Sequence, residues 1–177
     1  METAHRAGVR PPPIRWEKEL YYQACVNLVT GRVHVDTRLL EVMPDPYIEA
    51  LLAHEVGHLQ DRGRALLTQL LLMIVMLLSM VLPLWVVWWF HGIPPDGQLP
   101  WQWVAGALAS GLLLLWFNMW AMEWELDRRE EVADRFAVQI CSASSLLEML
   151  LFHQRLVKRS LGPSLLRRLK VLEAWAG

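Results

Sequence analysis

The chain has 177 residues, 54% hydrophobic and 20% charged, with ten tryptophans and eight methionines. That length allows one domain, or one small domain with an appendage, and a net charge of -1 excludes a bulk electrostatic grip on nucleic acid. No Asp, Glu, Lys or Arg occurs from Ala65 to Pro95, and after Asp96 none from Gly97 to Met122, runs of 31 and 26 residues; since roughly 20 mainly apolar residues cross a bilayer, two spans are available and a soluble globular protein is excluded.

Residues 1–13 read as a loose arm ending in Pro11-Pro12-Pro13, with no apolar signal region, so the N-terminus is expected on the side of synthesis. From Ile14 to Val29 the recurrence of Trp16, Leu20, Ala24 and Leu28 suggests a first helix, ended by Gly31. Arg32-Val33-His34-Val35-Asp36 alternates polar and apolar and reads as a short strand at a sheet edge. Asp36 or Thr37 then caps a turn carrying Leu39, Leu40 and Val42. Asp45 as N-cap and Pro46 as first helical residue open a helix to about Asp61 or Arg62, which Gly63 loosens or ends. Cys25 and Cys141 lack the close spacing of a metal or redox pair and read as two buried free thiols.

The first span is about 66–90, with Trp85, Trp88 and Trp89 at its far end. The loop 91–97 holds two prolines and two glycines, and Trp101 and Trp103 follow it, completing an interfacial aromatic belt. The returning span, about 103–122, ends near Trp116, Trp120 and Trp124. Residues 1–64 carry eight Lys/Arg, 91–102 none and 123–177 nine, which places both termini in the cytoplasm and the tryptophan-rich turn outside. Beyond the spans, helices are expected over Glu123–Val138 and from Ser144 or Ser145 to Val157. Gly162-Pro163-Ser164 then breaks the chain before a terminal helix whose Arg167, Arg168 and Lys170 face anionic lipid or plain solvent.

The strongest local signal is His54-Glu55-Val56-Gly57-His58. On a helix, positions i and i+4 share a face, so both imidazoles can hold one ion while Glu55 reaches a water bound to it. Zinc lowers the pKa of such a water and polarises a peptide carbonyl; the carboxylate moves the proton. A catalytic zinc takes three protein ligands. The pattern with a glycine three and a histidine six residues after His58 fails, because Asp61 and Arg64 stand there. The third ligand must come from elsewhere, and 123–138 offers Glu123, Glu125, Asp127, Glu130, Glu131 and Asp134. Glu130 with Asp134 one turn on would supply a ligand and a carboxylate to hold the far nitrogen of a ligating histidine. Glu123 and Asp127 have the same spacing; Ala133 and Ala137, which permit close helix packing, favour the later pair.

The stretch Glu131-Val132-Ala133-Asp134-Arg135-Phe136-Ala137, with Glu130 before it, resembles the E-x-x-A-D signature of the gluzincin membrane peptidases, the HtpX-like and CAAX-prenyl-peptidase-like family of zinc metallopeptidases. The resemblance covers about residues 14–157. It implies His54, His58 and Glu130 as zinc ligands, one zinc ion per chain, Glu55 as the catalytic carboxylate and Asp134 as support for a ligand histidine. Val33 to Leu40 looks like the family's strand and short helix, and two spans between the metal motifs match the HtpX-like arrangement. The family's N-terminal membrane hairpin and many-span chamber have no counterpart here, so a minimal member is expected and prenyl-peptide processing is not. His34, Tyr47, Arg135 and His153 are the candidate oxyanion donors, each with a structural role as the alternative.

The expected protein is therefore a mainly α integral membrane protein. A zincin-like α+β cytoplasmic domain (14–64 and 123–177) is interrupted by a two-helix transmembrane hairpin (65–122). Its expected function is zinc-dependent endopeptidase at the cytoplasmic face of the inner membrane. Membrane-associated or unfolded polypeptides would be cut, paired along the edge strand Val33, His34 and Val35. The alternative is a proteolytically inactive, zinc-stabilised membrane adaptor or interaction protein.

Overall fold

A computed structural model describes residues 12–18, 20–91, 101–157 and 162–176. The chain forms two compact units, one of residues 1–64 with 127–177 and one of residues 65–126. Nearly all of the expected N-terminal arm, and the loop over 92–97, lie outside the described residues.

The first unit opens with a three-stranded sheet: β1 (Ile14–Glu17), β2 (Ala24–Asn27) and β3 (Arg32–Asp36). This corrects the helix expected over 14–29. A recurrence of four is also a multiple of two, so Trp16, Leu20, Ala24 and Leu28 fit a strand's period as well as a helix's. Ala24 and Val26 pack on the core while Cys25 and Asn27 are exposed. Tyr21 and Tyr22, with φ of 50° and 60°, interrupt any continuous helix.

The strand order is β1-β3-β2, parallel between β1 and β3 and antiparallel between β2 and β3. The register aligns Ile14 with Val33 on one side and Val26 with Val33 on the other. The expected edge strand is thus the central one. Its neighbours already pair with Val33, His34 and Val35, and a substrate cannot add there. Alternation with Val33 and Val35 buried is the pattern of any strand with one face on a core, and it says nothing about which strands flank it.

Asp36 ends β3 as a hub. Its carboxylate accepts from Tyr22 N at 2.8 Å, from Arg38 N at 2.9 Å and from Arg38 Nη2 at 2.7 Å. The short helix α1 (Leu39–Val42) follows. Helix α2 (Asp45–Gln60) is capped by Pro44, with Asp45 and Pro46 as its first two residues, one position earlier than the sequence suggests. It stops at Asp61, before Gly63, and α3 (Arg62–His91) starts at once. Asp61 accepts from Arg128 Nη2 at 2.7 Å.

The helix expected to start at Glu123 does not start there. It is the end of α4 (Trp101–Ile140), 40 residues without a break, because nothing between Met122 and Glu123 stops a helix. Helices α5 (Ala143–Val157) and α6 (Pro163–Ala176) complete the first unit. Its core joins Val33, Val35, Leu39, Leu51, Leu146 and Leu172. Both cysteines are free, but Cys25 is exposed and Cys141 only half-buried, which corrects the buried reading: Cys25 lies on the outward face of β2.

The segments Arg62–Pro83 and Val104–Ile140, whose apolar parts make up much of the second unit, are long and apolar enough to cross a membrane. Only 11% of each apolar window is buried, unlike the core helix of a soluble domain. Three of their polar side chains bond within their own helix: Ser79 Oγ to Met76 O, Ser110 Oγ to Ala107 O, and Asn118 Nδ2 to Leu114 O. Such satisfaction is what a chain without water around it requires. Two apolar helices of this kind suggest membrane association.

Candidate metal centre

Helix α2 buries Ala50, Leu51, Ala53, His54, Glu55, Val56 and Gly57, so His54 and Glu55 lie on its inward side. Helices α2 and α4 come close together at Gly57. A Cβ there would stand 2.7 Å from the Ala133 Cα and 2.9 Å from the Ala133 carbonyl oxygen. Ala133 and Ala137 are fully buried. A small residue facing a glycine brings the backbones together, and this sets the turn of α4 that carries Glu130 and Asp134 against the histidines.

The structure brings His54, His58 and Glu130 together, one donor atom from each within 4.8 Å of the others. His54 Nε2 lies 3.4 Å from Glu130 Oε2, and His58 Nε2 lies 3.5 Å from Glu130 Oε1. Ligands at about 2.1 Å from a tetrahedral zinc stand about 3.4 Å apart, close to these two separations, each of which runs to a different oxygen of Glu130. His54 Nδ1 is 2.9 Å from Asp134 Oδ1, on the side of the ring away from Glu130. That leaves Nε2 of each histidine as the donor. The Nδ1 atoms of His54 and His58 are both buried without an aligned hydrogen bond, and His54 Nδ1 meets Asp134 as an ion-pair contact. The decoy pair separates: Asp127 pairs with Arg167 at 2.9 Å, and Glu123 is not part of the donor cluster.

Arg168 of α6 is the residue that sequence reasoning missed. Its Nε and Nη2 donate to the two oxygens of Asp134, both at 2.7 Å, and its Nη1 donates to Glu130 Oε2 at 2.6 Å. A signal existed. Arg168 lies beside Leu169 and Leu172, the buried stripe of α6, whereas Arg167 and Lys170 are exposed. The buried Asp134 carboxylate, with the half-buried Glu130 one turn before it, also requires a cation.

Burial pushes the Glu55 carboxyl up to about 7, with the nearby His54 charge opposing. Burial alone would lower His54, but the Asp134 and Glu130 carboxylates outweigh it and raise the ring to about 9. Burial and the His54 charge press His58 down to about 4. Burial would raise Glu130, yet His54 and Arg168 hold it down at about 2.

The four candidate oxyanion donors are engaged elsewhere. His34 Nδ1 meets Glu17 at 2.8 Å, Tyr47 donates to Glu148 at 3.0 Å, Arg135 donates to Glu131 at 2.5 Å, and His153 Nε2 meets the Tyr22 carbonyl at 2.8 Å.

Two imidazoles from one helix and a carboxylate from another could hold a metal ion, and the buried Glu55 stands beside His54, an arrangement consistent with a zinc-dependent metallopeptidase. The family model of peptidase family M48 matches residues 4–176, and the chain belongs to that family. Its members are zinc-dependent peptidases acting on polypeptides. No curated protein and no solved structure matches the chain.

Proposed function

We propose that this chain is a zinc endopeptidase of the inner membrane, with its active site and both termini on the cytoplasmic side. The observation that carries the reading is the convergence of His54, His58 and Glu130 beside the buried Glu55. His54 and His58, through Nε2, and Glu130 would hold the ion. When bound, zinc supplies Lewis acidity, which acidifies a water and polarises the scissile carbonyl. Glu55 takes a proton from the water as its oxygen bonds to the carbonyl carbon. It then gives that proton to the departing amine nitrogen as the C–N bond breaks. Asp134 stands 2.9 Å from the outer nitrogen of His54, and Arg168 donates to both Asp134 and Glu130.

Two uncharged stretches within α3 and α4, flanked by eight and nine basic residues with none between them, support the membrane and the orientation. The substrates are loops of membrane proteins and unfolded chains close to the bilayer. A second reading, an inactive zinc-stabilised adaptor, draws on the Arg168 contact, since a guanidinium occupies one oxygen of the ligand Glu130. Detergent-purified protein separates the two. The endopeptidase carries about one zinc per chain and cuts an unfolded casein-type substrate, and Glu55→Gln stops the cutting. Zinc without cleavage selects the adaptor, and a zinc-free, inactive protein rejects both.

A further inference from the structure

The turn between β2 and β3 is tightly built and displays an apolar residue. Asn27 Oδ1 accepts from Val29 N and Thr30 N, both at 3.0 Å, and Gly31 N donates to Asn27 O at 2.7 Å. Gly31 closes the turn at φ 69°, a conformation that suits glycine. Turn residues are ordinarily polar. Here Val29 stands at the tip with 73% of its surface exposed.

The tip is fastened to the start of α3. Arg62 Nη2 donates to the Val29 carbonyl, and a Cβ on Gly31 would lie 2.7 Å from Arg62 Nη1. Arg62 is three residues from Ala65, where the uncharged stretch begins, a rise of about 5 Å along a helix. The charge nearby is of one sign. Arg32 and Arg64 are exposed, and no acid occurs in 27–32 or 62–64, while the adjacent Asp61 is held by Arg128.

We propose that the β2–β3 turn is a lipid contact: Val29 enters the headgroup region of the leaflet that α3 crosses, and Arg32, Arg62 and Arg64 face anionic headgroups. The proposal rests on α3 being a membrane span. An apolar tip among arginines has the chemistry of an interfacial anchor, in which buried apolar area and attraction to anionic lipid act together. The Arg62 tie fastens this turn to the residues that immediately precede the uncharged stretch. The contact holds β2 and β3 near the headgroups, where chains leaving the bilayer are met.

The test uses the full chain with Cys25→Ser and Cys141→Ser, carrying an environment-sensitive fluorophore through Val29→Cys, Leu112→Cys or Lys170→Cys. Each is reconstituted into phosphatidylcholine vesicles, with and without phosphatidylglycerol, that contain lipids brominated near the headgroup end of the acyl chain. Position 29 is expected to be quenched in the anionic vesicles, well above position 170. Omitting the anionic lipid, or adding Arg32→Glu, reduces that quenching by a factor on the order of five. Quenching at 29 no greater than at 170, with 112 quenched, overturns the lipid contact and leaves the span standing. An unquenched label at 112 overturns both. The unlabelled Val29→Cys thiol gives an independent measure in open membrane fragments: it reacts more slowly than the Lys170→Cys thiol with a charged thiol reagent, and equal rates overturn the contact.

Discussion

Gly57 and Ala133 meet backbone to backbone, and the spacing of the metal donors follows from that contact. Gly57 lies between Glu55 and His58 on α2, and Ala133 between Glu130 and Asp134 on α4. Gly57→Ala places a methyl carbon 2.7 Å from the Ala133 Cα, where only movement of a helix gives relief. Overpacking of this kind costs about 1–3 kcal/mol. The expected outcome is a lower Tm together with zinc affinity weakened about tenfold or more, as when support around a ligand is loosened. A competitive zinc titration checks it, and wild-type affinity at wild-type Tm would refute the link.

Glu55→Gln keeps the size of the side chain and removes the basic carboxylate. Zinc content should stay at the wild-type level while single-turnover cleavage falls by roughly 10²–10⁴-fold. His54→Ala should lose both metal and cleavage, because a ligand is gone. A metal-replete Glu55→Gln that cuts at the wild-type rate would rule out this mechanism.

Glu130 and Glu123 provide a paired comparison. Glu130→Ala removes the only carboxylate in the donor cluster, so zinc should be lost or bound far more weakly. Glu123→Ala should retain it. The opposite ranking in a zinc titration would reassign the third ligand.

Arg168→Ala leaves Asp134 buried without its bidentate cation. Removing one partner of a buried ion pair costs about 3–5 kcal/mol, so a large drop in denaturant midpoint is expected. Arg168→Lys should recover only part of it, since an ammonium cannot make the two-pronged contact. Full recovery by lysine would show that charge alone matters there.

Acid stability should carry the signature of Asp36. Its bonds from Arg38 and the Tyr22 and Arg38 backbone hold its carboxyl at about 2, below the usual value, against an opposing effect of burial. A depressed folded-state pKa means that the stabilisation is complete above the unfolded value, near 3.9, and is lost as pH falls from there toward 2. Asp36→Asn should flatten stability across that window. Denaturation curves that keep the wild-type slope between pH 4 and 2 would remove Asp36 as its source.

Reporter fusions at residues 30 and 150 should signal from the cytoplasm and one within 92–97 from outside. An extracytoplasmic signal at residue 150 would reverse the orientation argued from the basic residues.

What the sequence determined by itself is local or compositional. His54 and His58 share a face because any helix puts i and i+4 together, and the two uncharged runs are legible without a fold. The break at Gly162-Pro163 before α6 follows from backbone chemistry in the same way. Tertiary structure decided whatever depends on partners far along the chain. His54 is 76 residues from Glu130 and 114 from Arg168, and no periodicity reaches that far. Arg168 read as a surface cation because a helix's own pattern does not show which carboxylates pack against it. The sheet order was hidden for the same reason: Val33 and Val35 present identical side chains to the core whether their backbone has one neighbour or two, and only hydrogen bonding to β1 and β2 made β3 the central strand.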